Sequence, residues 1–267
     1  MNLPSADIHS AAQSEFEQAA RAAKMDPHDK WVGGYAQYEW DHLRPLLDTY
    51  GLDVKDRDIL ELGCNVGGSS IVMAALGANV SAIDIDPAMT RIAKANFARH
   101  GMEESVDIQT VDDSRHLPFP DNSFDHIIAN SVLEYVAPEH LDAVMAELHR
   151  TLKPEGSLFI CGTASRVAPK EIHSGRWLVN YLPRWFDQWT GKQPQRGLNP
   201  LQLRRVLNGR FESVSLDSWR DARSTIHGKL SLPVRLVDML AQFLVISPGW
   251  ISPHIELQLQ KTAKHQS

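Results

Sequence analysis

Short apolar runs and helical patterns alternate through the middle of the chain. Five runs rich in apolar residues predict β-strands, at residues 58–62, 79–83, 106–110, 124–129 and 157–161. Helical periodicity fills intervals between them over residues 68–76, 87–100 and 138–152, and Asp86 followed by Pro87 is typical of a helix start. Strands that alternate with helices predict a parallel sheet covered on both faces. Ligands of such sheets bind beyond the carboxyl ends of the strands.

The amino-terminal flank has a different pattern. Apolar and aromatic residues recur at helical spacing over residues 35–50, and Gly51 ends this predicted helix. The first ~25 residues contain few large apolar side chains, so we expect a loose or fraying helix there. Order should begin near Trp31.

The alternation ends after Cys161. Residues 166–197 combine aromatic residues with prolines and arginines in no clean period, which indicates an insertion. Beyond it the pattern predicts a helix and two final strands, at residues 201–207, 211–216 and 255–260. Between those strands, polar residues fall every three or four positions within residues 230–246, which leaves a broad apolar face on a second insertion.

Composition narrows the class of protein. Of the 267 residues, 43% are hydrophobic and 22% charged, so the chain can bury a sizeable core. It has no run of ~18 apolar residues, and its first residues lack the basic and apolar regions of a secretory signal. The two cysteines, Cys64 and Cys161, lie far apart and predict neither a disulfide framework nor a metal site. We therefore expect a reducing, cytoplasmic setting.

Charge is distributed unevenly. The net charge of −6 argues against a nucleic-acid binder. Residues 1–165 contain 12 Lys and Arg against 26 Asp and Glu, whereas residues 166–267 contain 15 against 7. The two parts therefore face different partners, or one pairs with the other.

The strongest local signal is the segment DILELGCNVGG, which begins at Asp58. Glycines at a strand-to-helix turn let the backbone approach a ligand, and the helix beyond adds unpaired N–H groups. Gly63, Asn65 and Gly68 nearly match the dinucleotide fingerprint G-x-G-x-x-G. After glycine, asparagine is among the residues that best tolerate the left-handed backbone conformation such a turn requires.

Two acidic residues give the turn a chemical context. Asp84 ends the second predicted strand, where a carboxylate can accept both hydroxyl hydrogens of a ribose. Asp113, followed by Ser114, lies just past the third strand and can accept a hydrogen bond from an exocyclic amine such as that of adenine; alternation alone does not decide between it and the adjacent Asp112. No Lys or Arg lies in the turn from Gly63 to Gly68, which argues against a pyrophosphate ligand. The pattern indicates a slot shaped for adenosine.

Residues 55–165 resemble the class I S-adenosylmethionine-dependent methyltransferases, especially their small-molecule group. The resemblance is carried by ILELGCNVGG, AIDIDPAM, VDDSRHLPFPDNSFDHIIANSVLEYV and LHRTLKPEGSLFI, which follow four successive strands. It departs at Asn65, where the family usually has glycine. It implies an α/β, Rossmann-like, doubly wound sheet of seven strands, mostly parallel, with an antiparallel last strand at residues 255–260 and helices on both faces.

The resemblance also implies an organisation and a set of cofactor contacts. The expected segments are a helical cap (1–50), a cofactor-binding core (51–165), a substrate lid (166–198) and the end of the core sheet with an apolar insertion (199–267, with 219–250 inserted). The expected contacts with S-adenosylmethionine are Gly63, Cys64, Asn65 and Gly67 at the methionine part, Asp84 at the ribose, Ile85 at the adenine, Asp113 and Ser114 at the adenine edge, and Asn130 and Ser131 along the cofactor. Glu61 is expected to point toward the glycine turn, and Tyr35 to close over the cofactor or to pack on the cap helix.

Methyl transfer leaves a small catalytic signature. The sulfonium is already an activated donor, so the protein mainly aligns the reactants and excludes water. A hydroxyl acceptor would benefit from a general base, and His173, in the insertion after the fifth strand, is the candidate; a structural histidine is the alternative. Glu171 could orient its ring.

The two insertions of the carboxy-terminal part contain the features that bear on the methyl acceptor. The basic carboxy-terminal part contains five of the seven tryptophans, Trp177, Trp185, Trp189, Trp219 and Trp250. Basic charge, aromatics and an apolar helix suit a lipid-linked or phosphorylated acceptor and peripheral contact with the anionic inner face of a membrane. The segment EIHSGRWLVNYLP with the later apolar insertion is similar to methyltransferases encoded with glycan or lipid-linked sugar assembly, which implies O-methylation of a hydroxyl on a lipid-linked or glycan-type acceptor. The alternative is a lid or dimer face for a soluble acceptor. Oligomeric state and the atom methylated stay open.

Two other function classes compete with methyl transfer. An NAD(P)-dependent oxidoreductase would share the sheet, the glycine turn and the ribose acid, but would have no use for Asp113. A non-catalytic protein that binds an adenosine ligand would share the whole site.

Overall fold

The sheet is the centre of the fold. The computed structural model describes residues 2–172, 175–182, 196–214 and 217–262. The strands in chain order are β1 (Asp58–Leu62), β2 (Asn79–Asp84), β3 (Val106–Thr110), β4 (Phe124–Asn130), β5 (Leu152–Ala164), β6 (Phe211–Ser213) and β7 (His254–Lys261). They form one seven-stranded sheet in the order β3-β2-β1-β4-β5-β7-β6. The first five strands run parallel, and β7 lies antiparallel to both β5 and β6. The predicted mostly parallel sheet with an antiparallel last strand is confirmed.

Helices cover both faces of the sheet. The helices of the described residues are α1 (Ala11–Ala22), α2 (Tyr35–Thr49), α3 (Gly68–Ala75), α4 (Pro87–Arg99), α5 (Leu141–Thr151), α6 (Pro200–Leu207), α7 (Ser218–His227) and α8 (Leu232–Leu244). The predicted start of α4 is confirmed, because the Asp86 side chain accepts a hydrogen bond from the Ala88 N–H and Pro87 occupies the first turn. The helix α7 was not predicted.

The core has one layer on each face of the sheet. Leu60 and Leu62 of β1 point to the layer beneath α5 and α6. Ile59 points the other way, into the layer beneath α2 and α3. Side chains alternate between faces along a strand, so Glu61 points to the same side as Ile59. A carboxylate is therefore buried in an apolar layer.

The expectation of a loose amino terminus is wrong. Helix α1 packs on α4, and Phe16 and Ala20 are fully buried there with Ile92 and Ala95. Arg99 stacks its guanidinium 3.8 Å from the centre of the Phe16 ring. One large apolar residue among alanines suffices because small side chains let the two helices approach closely.

The carboxy-terminal part differs from expectation in its aromatic residues. Trp219 is buried, Trp250 is half-buried against the core, and Trp177 is exposed. Trp185 and Trp189 lie outside the described residues. The interpretation of Trp219 as an interfacial aromatic is therefore wrong, because α7 turns this side chain into the protein. Within the described residues, no helix has both the length and the apolar character needed to cross a bilayer.

Candidate active site

The glycine turn joins β1 to α3 at the carboxyl edge of the sheet. The N–H groups of Gly63 and Cys64 both donate to the Ile83 carbonyl, each at 2.9 Å, and the Gly67 N–H donates to the Cys64 carbonyl at 2.8 Å. Asn65 has a φ of +50° and Gly67 a φ of +83°. The left-handed conformation expected of Asn65 is confirmed.

The turn is packed too closely to accept side chains at its glycines. A Cβ on Gly67 would overlap the ring of Phe97, and one on Gly68 would overlap the ring of Tyr35. Tyr35, near the start of α2, thus lies directly against the turn. The arrangement brings a bare backbone and the start of α3 to the carboxyl edge of the sheet, where ligands of such folds bind.

Asp84 is tied to the turn. Its carboxylate accepts hydrogen bonds from the Asn65 N–H at 2.9 Å and from the Asp86 N–H at 3.0 Å, one on each oxygen. A carboxylate offers about four acceptor positions, so about two are left for a ligand. Asp84 is half-buried, and the neighbouring Ile85 side chain is 65% exposed. This pair can hold a diol beside an apolar ring.

Asp113 follows β3, whose last residue Thr110 pairs with Asp84. Its carboxylate accepts from the backbone N–H of Arg115 at 2.8 Å and from the Arg115 Nε at 2.6 Å. These bonds lower the pKa of Asp113 to about 2, so it is ionised and can only accept. Ser114, which lies between Asp113 and Arg115 in the sequence, is half-buried. Arg115 is a site neighbour that the sequence analysis missed.

A buried polar network lies behind the turn. Ser69 and Ser70, at the start of α3, both donate to the buried Glu61 carboxylate. Asn130, at the end of β4, donates through Nδ2 to the Ser69 Oγ at 3.0 Å. Asn130 also bonds to the carboxylate of Glu39. The network therefore links β1, α3, β4 and α2.

Glu39 is the second residue that the sequence analysis missed. It is buried on α2, and the Tyr35 hydroxyl one turn earlier donates to it. The available signal was its position: Glu39 falls on the stripe of α2 that also carries the buried Ala36 and Leu43. A charged residue on such a stripe indicates a specific partner.

Burial dominates the electrostatics of this network. It raises the pKa of Glu61 to about 8, and the neighbouring carboxylates of Glu39 and Asp84 add to the rise. Burial likewise raises the pKa of Glu39 above its ordinary value. A ligand that carries positive charge beside this turn would favour the ionised forms of Glu61 and Glu39.

Three further predicted site residues are Ser131 in the loop after β4, Cys64 in the glycine turn, and His173. Ser131 has a φ of +51°, and its N–H donates to the Cys161 carbonyl at 2.9 Å. Burial raises the pKa of the Cys64 thiol, which disfavours a nucleophilic role. His173 lies outside the described residues, and the neighbouring Glu171 is buried.

Comparisons with known proteins agree with this geometry. A family model described as a methyltransferase domain matches residues 60–160. A ubiquinone biosynthesis O-methyltransferase of Xanthomonas oryzae pv. oryzae is 35% identical over 182 residues, which are 64% of this chain and 71% of that protein. A sterol 4-C-methyltransferase of Caenorhabditis elegans, strm-1, is 34% identical over 101 residues, 38% of this chain and 29% of that protein. The match to an uncharacterised protein of Haemophilus influenzae, 33% identical over 127 residues, covers 47% of this chain and 48% of that protein.

A solved structure shares the fold over almost the whole chain. The [4+2]-cyclase SpnF superposes with a TM-score of 0.56 at 18% identity, and the match covers 98% of this chain and 100% of that one. A cyclase on this fold shows that the architecture alone does not determine the reaction. The sequence match to the methyltransferase domain spans β1 to β5, the strands whose carboxyl ends carry the turn, Asp84 and Asn130. On these grounds the chain belongs to the class I S-adenosylmethionine-dependent methyltransferases.

Proposed function

We propose that this protein transfers the methyl group of S-adenosylmethionine to a hydroxyl of a small, lipid-type acceptor. The observation that carries the proposal is the Asp84 carboxylate, oriented by the Asn65 N–H of the glycine turn within the region that matches the methyltransferase domain. S-adenosylmethionine supplies an electrophilic methyl group bonded to a positive sulfur. The chain's own residues hold the donor, orient the acceptor and exclude water.

The proposed cofactor contacts follow the geometry. Asp84 accepts from the ribose hydroxyls, Ile85 packs on the adenine, and Asp113 with Ser114 meets the adenine edge. Gly63, Cys64, Asn65 and Gly67 present their backbone to the methionine part, with Asn130 and Ser131 alongside. Glu61 and Glu39 lie behind the turn as buried acids whose ionised forms a positive group of the cofactor would favour, and Tyr35 packs over the turn. Family membership favours this cofactor over NAD(P).

A lipid-type acceptor is supported by two observations. Two relatives carry names for methyl transfer to a sterol and within ubiquinone biosynthesis, both large apolar compounds. The carboxy-terminal part of this chain has an excess of basic residues, which suits an acceptor that resides at an anionic membrane. We therefore propose action at the inner face of a membrane, with peripheral contact. The names also include a C-methyltransferase, so the choice of oxygen rests on the O-methyltransferase, which matches a larger share of this chain and of its own length.

Labelled methyl transfer tests the proposal. The purified chain and S-adenosylmethionine labelled in its methyl group are incubated with a membrane lipid extract and with a water-soluble extract. We expect label in a product that partitions into organic solvent. Label only in water-soluble products would contradict the lipid-type acceptor. Absence of label in both extracts, with the cofactor bound, would indicate the non-catalytic alternative.

A matched pair of variants tests the base. His173→Ala should lower turnover by about a hundredfold without weakening cofactor affinity, because a general base contributes about that factor. His28→Ala, a change at an exposed histidine, is the control and should leave both unchanged. Full turnover of His173→Ala would remove the proposed base.

A further inference from the structure

Helix α8 has its apolar side turned to solvent. Six of its side chains are between 48% and 83% exposed: Leu232, Leu236, Met239, Leu240, Phe243 and Leu244. They recur every three or four positions, so they form one continuous apolar face, about 18 Å long at the rise of an α-helix. We call these six residues the α8 face. Scattered exposed apolar residues are ordinary, but a contiguous face of this kind marks an interaction site.

The orientation of α8 is fixed by its opposite side. Asp238, on the inward side, accepts from the Arg220 Nε at 2.8 Å and from the Gln242 side chain at 3.2 Å. Ala241 is fully buried beside it. A helix on a water-soluble surface normally buries its apolar side and exposes its charges. Here the acid is buried in an ion pair and the apolar side faces out.

Basic residues predominate within the segment that carries α8, while the exposed Asp217 at the start of α7 lines a hollow with Gln242 and Val245. From Ala222 to Ile255 the sequence contains a single acidic residue, Asp238, and that carboxylate is taken up by Arg220. The same stretch contains the exposed basic residues Lys229 and Arg235, and Arg235 lies at the border of the α8 face. A second copy of this chain would bring the same positive charge to the contact. An anionic surface complements it.

The α8 face is connected to the carboxyl edge of the sheet. The chain leaves α8 through a short turn at Pro248–Trp250 and enters β7, whose first residue His254 pairs with Ala164 at the end of β5. The Ser165 N–H donates to the Pro253 carbonyl at 2.9 Å and ties this connection down. That edge also carries Asp84 and Asn130. Nine residues of chain, 245–253, therefore join the end of α8 to the edge where the acceptor is proposed to arrive.

We propose that the α8 face docks this protein on an anionic lipid bilayer, with α8 lying flat in the headgroup region. Basic residues at the border of an apolar helical face are typical of helices that bind at the interface of anionic membranes. The choice of a bilayer rests in part on the lipid-type acceptor proposed above. Docking there would bring the bilayer, and an apolar acceptor within it, toward the carboxyl edge of the sheet.

Vesicle co-sedimentation of the full chain tests the proposal. Wild type is compared with the double variant Leu236→Gln, Phe243→Gln and with a matched control, Ile8→Gln, Leu201→Gln, whose positions are 66% and 76% exposed. Vesicles of phosphatidylcholine with phosphatidylglycerol, and of phosphatidylcholine alone, serve as probes. We expect wild type and control to pellet with the anionic vesicles at low salt, less so at high salt, and the α8 variant to bind at least about tenfold more weakly.

The outcomes separate this proposal from the proposed function. Equal pelleting of the α8 variant and wild type, or no pelleting of wild type at low salt, would overturn the docking surface. A wild-type dimer that becomes a monomer in the α8 variant, without vesicle binding, would show that a second copy covers the face. The affinity for S-adenosylhomocysteine, measured by calorimetry, should be the same in all three proteins. If wild type does not bind S-adenosylhomocysteine, the proposed function is contradicted, but the vesicle assay still tests the docking surface.

Discussion

Replacing Asp84 with asparagine removes the charge of the proposed ribose ligand and keeps its size. In the structure the two carboxylate oxygens accept from the Asn65 N–H at 2.9 Å and the Asp86 N–H at 3.0 Å. An asparagine keeps one acceptor oxygen and can preserve one of these bonds. The turn should therefore survive, while the two acceptor positions proposed for the ribose lose their charge.

The expected magnitude follows from the hydrogen bonds lost. A hydrogen bond to a charged group contributes about 1.5–3 kcal/mol, so two ribose hydroxyls account for about 3–6 kcal/mol. Because the amide oxygen retains part of this, we expect Asp84→Asn to weaken binding by about 3 kcal/mol, or roughly a hundredfold in Kd.

Titration calorimetry with S-adenosylhomocysteine measures this loss. The matched control is Asp107→Asn, the same change on the exposed side of β3, which should leave Kd unchanged. Thermal unfolding of both variants without ligand shows whether the fold is intact. A Kd for Asp84→Asn within about twofold of wild type, in a folded protein, would refute the assignment of Asp84 to the ribose.

Two further predictions concern buried carboxylates. The pKa of Glu61 is raised from an ordinary 4.5 to about 8, so the folded chain holds a proton there that the unfolded chain has lost, and the free energy of unfolding should fall as pH rises between those values. Glu61→Gln should flatten this part of the Tm profile measured without ligand; an unchanged slope would show that Glu61 is ionised in the folded chain. Arg223 donates to the buried Glu256 at 2.7 Å, and Tyr50 donates to the other oxygen at 2.9 Å. Arg223→Ala leaves this carboxylate without its cation and should lower the free energy of unfolding in urea by about 3 kcal/mol, whereas a loss below about 1 kcal/mol would contradict a buried ion pair.

Much of the fold was predictable because its strands are buried on both faces. Such strands are continuous apolar runs, and they stand out between amphipathic helices. The glycine turn was predictable for a different reason. Few residue types adopt the left-handed backbone conformation, and glycine and asparagine, found here at Gly67 and Asn65, are among them. The start of α4 followed from the local chemistry of Asp86 and Pro87.

The structural features that the sequence did not predict depend on contacts between distant segments. Helix α1 has little apolar surface of its own, and only the approach of α4 makes Phe16 a core residue. Trp219 lies in the basic, tryptophan-rich part of the chain, which suggested an exposed aromatic at a membrane interface. Because α7 packs against α2, its side chain is buried instead. Glu39 becomes a site residue only when α2 is placed beside Asn130, 91 residues further along the chain. A local sequence pattern does not show which distant segments of the chain come into contact.

We propose that the carboxyl edge of the sheet binds a nucleoside through carboxylates. A crystal structure of the protein with S-adenosylhomocysteine would show this binding mode atom by atom. We expect ribose hydroxyls on the Asp84 carboxylate, the adenine between Ile85 and Asp113, and the methionine part over the turn from Gly63 to Gly67. A ligand bound elsewhere, or one that leaves Asp84 without a contact, would refute this binding mode.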